Sequence, residues 1–144
     1  MRSRTLFIAA LVAIASSFAV DASAQEVRHI NANSAADAGG SPFSGAVMVG
    51  NTLYLSGVLG RGDTAEDAAR NALNSIRSTL EAADMTMDDL VNVQIFAADL
   101  ADYAGFNTVY RTYFTREFPA RAFLGSGALL ANARFEVVGI AAKR

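Results

Sequence analysis

Phe135-Glu136-Val137-Val138-Gly139-Ile140-Ala141 is apolar on both faces apart from one carboxylate. Alternate residues of a strand point to opposite sides, so a strand apolar at odd and even positions needs cover on both sides. The segment therefore needs something packed on each of its two faces. What supplies that cover decides the fold.

The hairpin comes first along the chain. Ala46–Val49 and Leu53–Ser56 are separated by Gly50-Asn51-Thr52, a turn-forming stretch between apolar runs. Gly57 to Asp63 reads as a glycine-punctuated loop. Thr64, with Asp67 three residues on, resembles a capping box. Ala69, Ala72, Leu73, Ile76, Leu80 and Ala83 then recur at helical spacing, with Arg70, Asn74, Arg77 and Glu81 opposite. The spacing predicts a helix over 65–83.

Leu90 to Phe96 alternates and reads as a strand, with Val91, Val93 and Ile95 on one side. Asp99 or Asp102 caps a second helix carrying Tyr103, Phe106, Tyr110, Tyr113 and Phe114, an aromatic stripe that reads as core. Pro119 cannot continue it. Arg121–Gly125 and Ala133–Ala142 are the last strands. A hairpin followed by crossover helices gives an α+β fold, one mixed sheet with two helices on one face. The chain has no element left to cover the other face, which predicts a homo-oligomer.

Residues 1–24 read as a signal peptide. Arg2 and Arg4 precede an apolar run from Leu6 to Val20, and Ala22-Ser23-Ala24 offers a small-residue cleavage site. The run is shorter than the roughly 20 residues a spanning helix needs. The expected location is periplasmic or secreted, with no membrane association after cleavage. Residues 25–40 are a flexible lead-in with one short strand near Val27–Ile30, and 41–144 are the domain.

The whole chain is 144 residues long, 52% apolar, with a formal charge of −2. The portion after the leader is about 49% apolar, ordinary for a globular domain. The acidic balance argues against nucleic acid as a partner. With no Cys and one His, disulfides, thiolate zinc sites, a cysteine nucleophile and multi-histidine metal sites are excluded. His29 falls in the lead-in. Arg61-Gly62-Asp63 reads as a loop ahead of a helix cap, not an adhesion signal.

Two charged residues stand out. Arg121 follows a rigid proline at the start of a strand, where a guanidinium is held in place and can grip a carboxylate with two parallel bonds. A solvated surface arginine is the other reading. Glu136 is the only charge in the apolar run from Phe135 to Ala142. It is either paired, for instance with Arg134, or positioned to act on a water or proton. Ser56-Gly57 ends a strand, where the serine hydroxyl donates a hydrogen bond or closes the turn.

These segments, in this order, resemble the RidA/YjgF family of enamine and imine deaminases. The resemblance rests on Ser41-Pro-Phe-Ser-Gly-Ala, Leu53-Tyr-Leu-Ser-Gly, Asn71-Ala-Leu-Asn-Ser-Ile with Leu80-Glu-Ala-Ala, and Val91-Asn-Val-Gln-Ile-Phe. It continues through Asp102-Tyr with Phe106-Asn-Thr-Val-Tyr, Phe118-Pro-Ala-Arg-Ala, and Phe135-Glu-Val-Val-Gly-Ile-Ala. It implies a chorismate-mutase-like fold and a homotrimer with sites in clefts between subunits. It also implies hydrolysis of reactive 2-enamine or 2-imino acids to 2-oxo acids and ammonia, with no cofactor or metal. Arg121 would bind the substrate carboxylate and Glu136 would hold the attacking water. Phe43, Ser56, Gly57, Asn107 and Phe123 would line the cleft. Four positions depart from the family pattern: Phe43 replaces a Tyr, Val58 a Gln, Phe123 a Cys or Ser, and Val138 an acid. Those apolar replacements keep a second function open, a non-catalytic trimeric module that binds small carboxylate ligands.

Overall fold

The computed structural model describes residues 24–31 and 40–144. The proposed signal peptide up to residue 23 and residues 32–39 of the lead-in lie outside the described residues. No helix among those described is long and apolar enough to cross a membrane.

Six strands form one sheet: β1 (Val27–Ile30), β2 (Ala46–Val49), β3 (Thr52–Gly60), β4 (Leu90–Ala97), β5 (Ala120–Gly125) and β6 (Phe135–Ala142). Helices α1 (Ala65–Glu81) and α2 (Tyr103–Tyr110) connect β3 to β4 and β4 to β5. The strand order is β1-β2-β3-β6-β4-β5. Only the β4–β5 pair is parallel. The segment that opened the reading, now β6, lies antiparallel between β3 and β4, in the interior of the sheet.

The hairpin forms as expected. Gly50 takes a φ of +57°, a conformation glycine reaches without a steric penalty, and β2 and β3 pair from Val49↔Thr52 to Ala46↔Leu55. The expected loop at Gly57 is different. β3 continues to Gly60, and Ser56 and Gly57 together oppose Val138 in a β-bulge between Leu55↔Gly139 and Val58↔Val137. The extra residue keeps both Leu55 and Val58 directed at the helices. Glycine punctuation marked the bulge, not the end of the strand.

Thr64 caps α1, accepting from the Asp67 backbone N–H at 3.1 Å and donating to the Asp67 carboxylate at 2.8 Å. Ala68, Ala69, Ala72, Leu73, Ile76 and Leu80 face inward, and the helix ends at Glu81, two residues early. α2 is shorter than its stripe and tightens into a 3-10 turn at Arg111–Tyr113. Of the stripe, Phe106 and Tyr110 are buried, Tyr113 and Phe114 are half-buried, and Tyr103 is exposed.

Val91 is also exposed, at 42%, and does not join Val93 and Ile95. A bulge between Leu90 and Asn92 turns Leu90 inward in its place. The core lies between the helices and one sheet face, built on Phe106, Phe135, Leu53, Leu73, Ile76 and Ile95. Each such side chain contributes about 1.5–3 kcal/mol on burial. β6 alternates between fully buried and half-buried residues. Its outer face, with Val138 and Ile140 beside Tyr54 of β3, carries no helix among the described residues.

Candidate functional site

Pro119 sets the entry to β5, and Arg121 follows two residues later. Arg121 is half-buried on the wall of a cavity of about 190 Å³ lined by Asn107, Tyr110, Arg111, Phe118 and Pro119. Its Nη1 donates to the Asn107 Oδ1 at 2.7 Å. Its Nη2 reaches the Tyr103 hydroxyl only at 3.5 Å, a weak contact. The guanidinium carbon lies 4.8 Å from the centroid of the Tyr110 ring and 5.8 Å from that of Tyr103.

No carboxylate among the described residues pairs with Arg121. The one ion pair among the described residues joins Arg134 to Asp102 at 2.9 Å. Arg134 also donates to the Gly62 and Asp63 carbonyls, so it clamps the Arg61-Gly62-Asp63 loop and does not partner Glu136. A guanidinium has five N–H donors, and those of Arg121 are mostly unclaimed. It is a fixed, half-desolvated cation open to an anion.

Tyr110 adds an unexpected group. Its ring stacks near Phe106 and Phe118, and its buried hydroxyl has no hydrogen-bond partner among the described residues. Burial pushes its pKa up to about 12, against the opposing pull of Arg121, so the phenol is neutral at ordinary pH.

Glu136 belongs to a second cluster. It is half-buried on β6, and its carboxylate lies over Gly57, where a β-carbon would collide with it. Ser56 donates its hydroxyl to the Ser44 carbonyl at 2.7 Å, so the side chain ties the bulge to the segment before β2. Phe43 stands next to that segment and is 55% exposed.

Strand register separates the two clusters. On β4, Val93 is registered with Arg121 and Ile95 with Phe123, whereas Phe96 is registered with Glu136. Val93 and Phe96 are an odd number of residues apart, so Arg121 and Glu136 stand on opposite faces of the sheet. One subunit brings Arg121 together with Asn107, and Glu136 together with Gly57. It does not bring the two groups together.

Phe123 shares the face of Arg121 without lining its cavity. It packs edge-on against Tyr103, Phe106 and Phe135 at 5.0, 5.6 and 6.2 Å between centroids. Val58 likewise packs against the core. No group of three His, Asp or Glu among the described residues could hold a metal ion.

A family model described as Endoribonuclease L-PSP matches residues 32–143. The chain belongs to the RidA/YjgF family. Among its relatives, a Bos taurus protein named 2-iminobutanoate/2-iminopropanoate deaminase is 37% identical over 124 residues, 80% of this chain and 90% of the relative. A Dermatophagoides farinae protein of the same name is 36% identical over 107 residues, 69% of this chain and 84% of the relative. The solved structure of the YjgF gene product from E. coli superposes with a TM-score of 0.69 at 28% identity, over 72% of this chain and 90% of that one. The expected chorismate-mutase-like arrangement of a mixed sheet with two helices is therefore the fold of this RidA/YjgF member.

Sequence reasoning did not single out Tyr110, Arg111 or Phe118 as cavity residues. The aromatic stripe signalled burial, and Tyr110 satisfies that signal, whereas Phe118 lies beyond the stripe and is exposed. Periodicity carries no information on whether a buried hydroxyl finds a partner.

Proposed function

We propose that this RidA/YjgF protein hydrolyses 2-imino acids, and the enamines that tautomerise to them, to 2-oxo acids and ammonia. The observation that carries the reading is Arg121, held by Asn107 on a cavity wall with no carboxylate partner among the described residues. The deaminase names of relatives about 36–37% identical over most of the chain support it.

In this reading Arg121 grips the substrate carboxylate and fixes the imine carbon in place. A water held by Glu136 adds to that carbon, and its proton passes to the imine nitrogen. The tetrahedral adduct then expels ammonia and leaves the 2-oxo acid. The imine carbon is already electrophilic, so positioning supplies much of the rate.

Arg121 and Glu136 face opposite sides of one subunit's sheet, so one site takes them from two subunits. The uncovered face of β3 and β6 supports such an assembly, and the family resemblance favours a trimer. Export to the periplasm or exterior, directed by residues 1–24, is part of the same proposal. N-terminal sequencing of protein recovered from the periplasm tests it, with Gln25 the expected first residue.

The activity test is ammonia release from enzymatically generated 2-iminopropanoate. Arg121→Gln is expected to lower kcat/KM about 10- to 100-fold, the value of a charged hydrogen-bonded contact. Equal rates in the two proteins would refute the assignment. A second reading, a module that binds carboxylates without turnover, is favoured by Phe43, which lacks the phenol hydroxyl usual at that position. Binding of 2-oxobutanoate without turnover, in wild type and Phe43→Tyr alike, would select it.

A further inference from the structure

We infer that the Arg121 cavity selects 2-imino acids bearing a second anionic group, and that Arg111 reads that group. The inference rests on the deaminase reading and names its substrate class. Two guanidinium groups, Arg111 and Arg121, line one cavity of about 190 Å³, too small for a drug-sized ligand and suited to a short metabolite.

The two cations sit on one stacked pair of rings. Tyr110 and Phe118 lie 6.1 Å apart at 23°. The Arg121 guanidinium carbon is 4.8 Å from the Tyr110 centroid, and that of Arg111 is 6.0 Å from the Phe118 centroid. Ring faces steady cations without occupying their N–H donors. Asn107 and Arg111 are four residues apart, so they stand on the same side of the chain as it leaves α2. Asn107 holds Arg121 in place, and Arg111 lines the same cavity.

Neither arginine has an Asp or Glu within ion-pair distance among the described residues. Two like charges facing one small, partly apolar cavity repel, and a ligand with two negative groups relieves both at once. A monocarboxylate neutralises one and leaves Arg111 unpaired. The chemistry that fits is a short 2-imino dicarboxylate, its C1 carboxylate on Arg121 and its side-chain carboxylate on Arg111.

Product-side binding tests this without requiring turnover. Calorimetry on the full assembled protein compares 2-oxoglutarate with 2-oxobutanoate. Wild type is expected to bind 2-oxoglutarate about tenfold tighter or more, the scale of one charge-assisted contact. In Arg111→Gln the ratio is expected to fall toward unity, and in Arg111→Lys to recover in part. Arg70→Gln, remote from the cavity, is expected to leave the ratio as in wild type. Equal wild-type affinities, or a preference that survives Arg111→Gln, would overturn the inference. So would an equal loss of both ligands with a lowered thermal midpoint, which would make Arg111 structural. Ammonia release from 2-iminobutanoate is assayed in parallel. Its absence refutes the deaminase reading, while the binding ratio still decides the role of Arg111.

Discussion

At the scale of single residues, the site depends on what each side chain is free to do. Gly57 matters because the Glu136 carboxylate occupies the space a β-carbon would need. Gly57→Ala is expected to displace that flexible carboxylate and lower kcat about tenfold or more, with little loss of stability. Steady-state kinetics beside a thermal melt would show the split. Phe123 behaves differently from what its position in the motif implies. The cleft residue expected there is instead a member of the Tyr103–Phe106–Phe135 aromatic cluster. Phe123→Ser is therefore expected to cost about 2–4 kcal/mol in urea unfolding. Arg121 and Glu136 were legible because a charge after a proline, or alone in an apolar strand, has few roles. Arg111 was not, since an exposed arginine at a helix end has an ordinary explanation in the helix dipole.

At the scale of elements, periodicity located every strand and both helices and misplaced their ends. The two bulges account for much of the difference. Ser56-Gly57 extends β3 to Gly60, and the irregularity at Val91 exchanges Leu90 for Val91 on the inner face. An alternating pattern read along one strand cannot reveal an extra residue against its neighbour, because the bulge is a property of the pair. For the same reason the opposite orientations of Arg121 and Glu136 emerge only from strand register. A non-local tie also escaped the pattern: Asp88, in the turn before β4, accepts hydrogen bonds from the Thr115 hydroxyl and from the backbone N–H groups of Thr115 and Arg116. The Thr115 hydroxyl is the main cause holding the Asp88 carboxyl below its ordinary value of 3.8. A depressed carboxyl contributes stability in full above the unfolded value and loses it as pH falls through the folded one. Asp88→Asn is thus expected to flatten the acid side of the stability curve below pH 3.8, by under about 1 kcal/mol because the group is solvated. Urea midpoints of the two proteins across that range would reveal it.

At the scale of the whole molecule, β6 is the organising element. It is buried on the helix side and only half-covered on the other, where Val138, Ile140 and the 50%-exposed Tyr54 lie together. A lone subunit leaves that face uncovered, and the same face carries Glu136. Assembly and chemistry are therefore expected to fail together. Ile140→Glu should yield monomers by light scattering and abolish ammonia release, although Ile140 touches no substrate. The most direct test of a site shared between subunits is complementation. Arg121→Gln and Glu136→Gln, each strongly impaired alone, are unfolded together in equal amounts and refolded into mixed oligomers. If each site takes its arginine from one subunit and its glutamate from the next, random assortment returns about one quarter of the wild-type rate of ammonia release. Mixed oligomers with no activity would place both residues in sites that a single subunit must complete, contradicting the shared cleft.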